Sequence, residues 1–106
     1  MATHRQEKIS ELLCHQFGQI LLSEEEFGSG VLVTVMGADI SGDLRSAKIF
    51  LSVFPVRQEE AVLRHLNRRL PYFQKILKEK AALYPAPKIE LAASPAGLAQ
   101  NEKLWP

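Results

Sequence analysis

Apolar residues recur along residues 4–22 at steps of three and four, with Ile9, Leu12, Leu13, Phe17, Ile20 and Leu21 forming one stripe. That spacing predicts an amphipathic helix. Thr3 and Gln6 stand in the Thr-x-x-Gln form of a capping box at its start, in which hydroxyl and amide satisfy free backbone donors. The pattern then changes period. VLVTVMGAD (31–39) and AKIFLSVF (47–54) are rich in β-branched and aromatic residues that alternate with a step of two, which predicts two strands. Ile40, Ser41, Gly42, Asp43 and Leu44 between them supply turn chemistry, so the pair reads as an antiparallel hairpin with a longer loop. Glu24, Glu25, Glu26 and the following FGSG form an exposed acidic connection before it.

A helical period resumes after Pro55. Val62, Leu66 and Leu70 make its apolar stripe, while Arg57, Arg64 and Arg68 fall on nearly the opposite side at about 100° per residue. Glu59 and Glu60 occupy its first turn, where negative charge complements the helix dipole. Pro71 then interrupts LNRRLPYFQKILKEK (66–80). A proline inside a helix removes one backbone hydrogen bond and crowds the preceding turn, so the helix must bend or restart there. Phe73, Ile76, Leu77 and Leu83 define a second apolar stripe, and Tyr84, Pro85, Ala86 and Pro87 end the helical region. Lys88, Ile89, Glu90 and Leu91 alternate as a short last strand. The chain from Ala92 to Pro106 is Ala-rich and weakly patterned, which predicts a loosely held tail with Trp105 as its one candidate for docking back. The expected organisation is a single domain over 1–91 followed by a tail over 92–106.

Composition narrows the chemistry. A chain of 106 residues with 46% hydrophobic content is sized for one compact core. The net charge is only +1, but Arg57 to Lys80 carries seven basic against three acidic residues, so the positive charge is concentrated on the bent helical region. No apolar run approaches the roughly 20 residues of a membrane span, and the start of the chain is too polar for a signal peptide; a soluble, cytoplasmic monomer is expected. Cys14 is the single cysteine and His4, His15 and His65 are dispersed, so neither a disulfide nor a clustered metal site is expected. P-loop, nucleophile-elbow and dinucleotide patterns are absent from the sequence. Asp39 and Asp43 could serve as an acid/base pair, but both fall in turn-prone sequence, where aspartate bonds local amides. No cofactor is expected, and an enzyme is the weak hypothesis.

The predicted order α-β-β-α-kink-α-β is that of an α+β, type II KH-like domain, a three-stranded sheet with helices packed on one face. KH modules clamp nucleic-acid backbone with a Gly-x-x-Gly loop between two helices, and this chain has no such loop. The stretch VTVMGADISGDLRSAKIFLSVF (33–54) resembles the signature of the bacterial ribosome-binding factor A family, with Val33, Thr34, Val35, Ser41, Asp43, Leu44, Ala47, Lys48, Ser52 and Val53 at matching places. The similarity extends back through Arg5, Ile9 and Leu12 and forward through FQKILKEKAALYPAPKIEL (73–91). Family members replace the clamp loop by a sharp kink, usually a small residue, any residue, then glycine. Arg69, Leu70 and Pro71 stand at that kink here.

The resemblance implies a non-catalytic assembly factor that binds the free 30S ribosomal subunit and assists late maturation and processing of 16S rRNA, with importance in cold growth. The implied partners are the 30S subunit and its 16S rRNA; the acidic Glu24–Glu26 stretch reads first as a solvated connection, with contact to a basic small-subunit ribosomal protein as the alternative. Arg64, Arg68, Arg69, Lys75 and Lys78 are the candidate phosphate contacts, with Arg45 and Lys48 beside the hairpin as weaker ones, since guanidinium forks and ammonium charges both suit phosphate. The competing expectation is a KH-like protein-interaction module that has lost RNA binding.

Overall fold

A computed structural model of the chain describes residues 4–24, 27–80 and 87–94. Helix α1 (His4–Glu24) leads into the antiparallel strands β1 (Leu32–Ile40) and β2 (Ser46–Phe54). A cis Phe54–Pro55 peptide and a single 3-10 turn (Val56–Gln58) precede α2 (Glu59–Arg68), α3 (Leu70–Lys80) and β3 (Lys88–Ala93). β3 joins β2 in parallel, giving the sheet order β1-β2-β3. This is the α+β, KH-like order expected.

All three helices cover one face of the sheet. Ala47, Ile49, Leu51 and Val53 of β2 and Ile89 and Leu91 of β3 point into that layer and are buried with Leu13, Phe17, Ile20 and Leu21 of α1. Val62 and Leu66 of α2 and Phe73 and Leu77 of α3 complete the core. Each apolar period thus finds a matching surface, the helical stripes meeting the inward residues of the strands. The opposite face carries Leu32, Met36 and Phe54 in exposed positions.

Strict alternation from Val31 would put Asp39 on the helix side of β1. A bulge between Val35 and Gly37 prevents this: Val33 and Val35 face Val53 and Leu51, and after the extra residue Ala38 and Ile40 face Ile49 and Ala47. The bulge shifts the side-chain phase by one, so Ile40 is buried while Asp39 is exposed beside its strand partner Lys48. Asp39 is therefore a strand residue and not the turn residue expected from its surroundings.

Two further boundaries differ from expectation. The last strand runs past Leu91 to Ala93, where Ala92 and Ala93 pair with Phe50 and Leu51, and the Ser94 N–H donates to the Leu51 carbonyl at 2.7 Å. Alanine is a poor strand former, but the backbone ladder of β2 is open to it there. α1 continues through Glu24, and Phe27, in the expected exposed connection, packs against the core. The Gln6 side-chain amide donates across to the Ile40 carbonyl at 2.9 Å, and the expected capping box with Thr3 falls outside the described residues. Thr3, Glu25, Glu26, Leu83, Tyr84 to Ala86 and the tail beyond Ser94, with Trp105, lie outside the described residues.

Candidate nucleic-acid interface

The restart of the helix centres on one residue. Arg69 lies between α2 and α3 with φ −94° and ψ 1°, outside helical values. Its N–H donates to the Leu66 carbonyl at 3.0 Å, and its own carbonyl accepts from Tyr72 and Phe73 at 3.0 and 3.1 Å. Arg69 thus ends one helix and opens the next. Pro71 occupies the first turn of α3, where a missing N–H costs nothing, and a proline there excludes a single uninterrupted helix.

The hairpin brings its own cation to this break. Ser41, Gly42, Asp43 and Leu44 form a tight turn closed by the Leu44 N–H on the Ser41 carbonyl at 2.9 Å. Leu44 takes a left-handed φ of 63°, a conformation that disfavours a leucine, and its half-buried side chain packs on the core. The Ser41 hydroxyl donates to Asp43 Oδ1 at 2.6 Å, and the Arg45 N–H reaches the same oxygen at 3.0 Å. Arg45 is thereby presented at the mouth of the loop.

Those two donors, the Ser41 hydroxyl first and the Arg45 N–H second, hold the Asp43 carboxyl below its ordinary pKa. The unfolded chain has the ordinary value, so the contribution of this loop to stability is present above the ordinary carboxylate range and is lost as the pH falls through the folded value. We expect amide protection factors at Arg45 and Ser46 to fall on acidification below that range, and Asp43→Asn to remove most of that pH dependence. Unchanged protection on acidifying the wild type contradicts the assignment.

Strand β3 closes the arrangement. The Lys88 N–H donates to the Arg45 carbonyl at 2.8 Å, which places two cationic residues side by side through the backbone alone. Gln74 of α3 ties the same strand down, its Nε2 donating to the Pro87 carbonyl and its Oε1 accepting from the Ile89 N–H at 2.9 Å. The result is an open depression of about 550 Å³ lined by Arg45, Asn67, Leu70, Pro71, Gln74, Lys88 and Ile89. A second depression of about 490 Å³ shares Asn67, Leu70, Lys88 and Ile89 and reaches Lys48. In the first depression two basic side chains, two carboxamides and an apolar floor meet where the helix breaks.

The sequence-derived candidates divide by position. Arg45 and Leu70–Pro71 line the first depression, and Lys48, in the adjoining one, pairs with Glu90 across the β2–β3 ladder at 3.5 Å. Lys75 and Lys78 are exposed and follow Pro71 at steps of four and three, so they continue its stripe along α3. Arg64 and Arg68 are exposed on the outward side of α2, and Arg64 forms an ion pair with Glu60 at 3.0 Å. Arg69 lays its guanidinium over the rings of Tyr72 and Phe73, at 5.0 and 5.6 Å from their centroids. Lys88 gives no signal in the sequence because it sits alone in a short strand, and only the parallel β2–β3 register brings it to Arg45.

Other chemistry is sparse among the described residues. No group of three metal-ligating side chains is found there, and no helix is long and apolar enough to cross a membrane. Cys14 is half-buried, and burial raises its thiol pKa despite an opposing hydrogen bond with Ser10, the reverse of what a reactive thiolate needs.

Comparison with known proteins matches this architecture. Ribosome-binding factor A of Coxiella burnetii is 27% identical over 88 residues, spanning 83% of this chain and 74% of its own. A homology model of the Thermus thermophilus ribosome binding factor A, as fitted into the cryo-EM map of its 30S complex, superposes with a TM-score of 0.68 at 22% identity over 90% of this chain and all of its own. A solution NMR structure of a Thermotoga maritima ribosome binding factor A gives 0.62 at 24% identity, over 91% and 92% of the two chains. The two structural likenesses establish the shared fold. Residues 5–96, which include both strands of the hairpin, the helix break and β3, match the family model of ribosome-binding factor A, and the chain belongs to that family.

Proposed function

We propose that this protein is a non-catalytic cytoplasmic assembly factor that binds the free 30S ribosomal subunit as a monomer and assists late maturation of 16S rRNA, with its largest effect in cold growth. The observation that carries this reading is the convergence of Arg45 and Lys88 on the helix break, inside the span that matches the family. A relative of the same fold is described in a complex with 30S, which supports the choice of partner. Arg45, Lys75, Lys78 and Lys88 contact phosphates from the groove and the adjoining stripe of α3. Arg64, Arg68 and Lys48 add charge from the flanks, and Arg69 contributes its guanidinium plane.

Such contacts position a protein on RNA without reading sequence. A factor of this kind acts by preferring one rRNA conformation, and it shifts that population only by its differential affinity, tenfold for each 1.4 kcal/mol. Release must follow, because equal affinity for the immature and mature forms would do no work. Depleting the protein at low growth temperature is expected to accumulate free 30S particles carrying precursor 16S rRNA, read by gradient profiles and primer extension at the 16S ends. Normal profiles and fully processed ends in the depleted cells would exclude the maturation role.

The exposed Leu32, Met36 and Phe54 on the open sheet face favour one other reading, a protein-interaction module of the same fold. That reading requires subunit binding to be absent or insensitive to salt.

A further inference from the structure

Tyr72 is exposed to 43%, while Phe73, the next residue, is fully buried. Their ring centroids are 6.2 Å apart and the rings are tilted by 54°, so one aromatic is spent on the core and its neighbour is left at the surface. The Arg69 guanidinium lies 5.0 Å from the Tyr72 centroid. A cation over an exposed ring stabilises a protein only weakly, and the helix restart is already explained by backbone bonds at Arg69 and by Pro71. The Tyr72 ring thus stands at the surface beside the helix break, with a guanidinium next to it.

A planar ring beside a planar cation is the chemistry on which unpaired bases stack, since every base has a π face and Arg adds attraction of its own. Charge for the flanking phosphates stands nearby. Arg68 directly precedes the pair, and Lys75 lies three residues beyond Tyr72, both exposed, the latter on a neighbouring position of the same helix surface. At 100° per residue, Tyr72 and Gln74 leave Phe73 on opposite flanks of α3. The groove at Gln74 and the exposed ring at Tyr72 are therefore separated by the outward stripe of Pro71, Lys75 and Lys78. A strand held by phosphates in the groove and over that stripe would reach the ring.

We propose that Tyr72 and Arg69 form a stacking platform for one unpaired nucleobase of the bound RNA. This rests on the RNA-contact reading above and adds a base contact to it. Stacking without hydrogen bonds to base edges tolerates any base, so the platform selects unpaired RNA over duplex without selecting a sequence.

The test compares a short oligouridine strand with a strand of equal length whose sugars carry no bases, each titrated at low and moderate salt. Wild-type protein should bind the base-bearing strand about tenfold more tightly than the abasic one. Tyr72→Ala should erase that difference and leave abasic binding unchanged, while Tyr72→Phe, which keeps the ring, should preserve it. The exposed position of Tyr72 makes folding of both variants checkable by circular dichroism. Equal wild-type affinity for the two strands, or an undiminished preference in folded Tyr72→Ala, overturns the platform while leaving phosphate binding standing. Absence of salt-sensitive binding to either strand overturns the RNA-contact reading itself, and the platform with it.

Discussion

Truncating Phe73 to alanine is expected to destabilise the domain by about 3–5 kcal/mol, the usual cost of emptying a phenylalanine site in a packed core. Phe73 is fully buried and meets Phe17 of α1 edge-to-face, with ring centroids 5.5 Å apart and planes at 88°. It is the residue through which the first turn of α3 is seated on α1, and the Arg69 guanidinium lies over its ring from the helix break. A domain of this kind has a total stability of about 5–15 kcal/mol, so the loss removes roughly a fifth of it at the least. Phe73→Leu keeps most of the volume and should cost clearly less. Urea unfolding followed by circular dichroism measures both, and a cost below about 1 kcal/mol for Phe73→Ala would mean that this ring does not seat the helix.

Replacing Arg45 and Lys88 together by alanine is expected to lower affinity for the 30S subunit by about tenfold for each phosphate deprived of its cation. It should also flatten the dependence of log affinity on log salt by about 0.7–0.9 for each phosphate no longer neutralised. Stability should be nearly unchanged. Both side chains are exposed, and the bond that joins these positions runs from the Lys88 N–H to the Arg45 carbonyl, which alanine retains. Arg64→Ala should weaken binding less than either groove change, because Glu60 at 3.0 Å already offsets its charge. Arg5 and Lys8, exposed on α1, provide a control pair of equal charge: their replacement should leave subunit binding as it is.

Much of the fold was legible in the periods of the sequence. The stripe from Ile9 to Leu21, the two runs around the hairpin and the proline at 71 each specify an element by local physics, and the helices pack as those stripes require. Asp39 was misplaced because the bulge at Val35–Gly37 leaves no mark in a simple alternation; a glycine inside a strand pattern was the available sign. The continuation of β3 through Ala92 and Ala93 was equally hidden, since its cause is the open ladder of β2 rather than any preference of alanine for strands.

The candidate site was legible in part. Concentrated charge between Arg57 and Lys80 pointed to the helix break, but charge along a chain does not say which cations meet. Arg45 and Lys88 are far apart in sequence and adjacent only through sheet register. Arg69 counted as one cation among several, whereas its position against Tyr72 and Phe73 depends on the angle at which the helix restarts. The Gln74 amide that fixes β3 to α3 carried no sequence signal, because a single glutamine on a helix is ordinarily solvated.

Sedimentation of the purified protein with separated 30S subunits, 50S subunits and 70S ribosomes, over a salt series and alongside the Arg45→Ala/Lys88→Ala variant, tests the central claim most directly. Expected is selective binding to free 30S that weakens steeply with salt and is reduced, with a shallower salt slope, in the folded variant. Failure of the folded wild-type protein to bind 30S at low salt, or equal binding to all three particles, would contradict it.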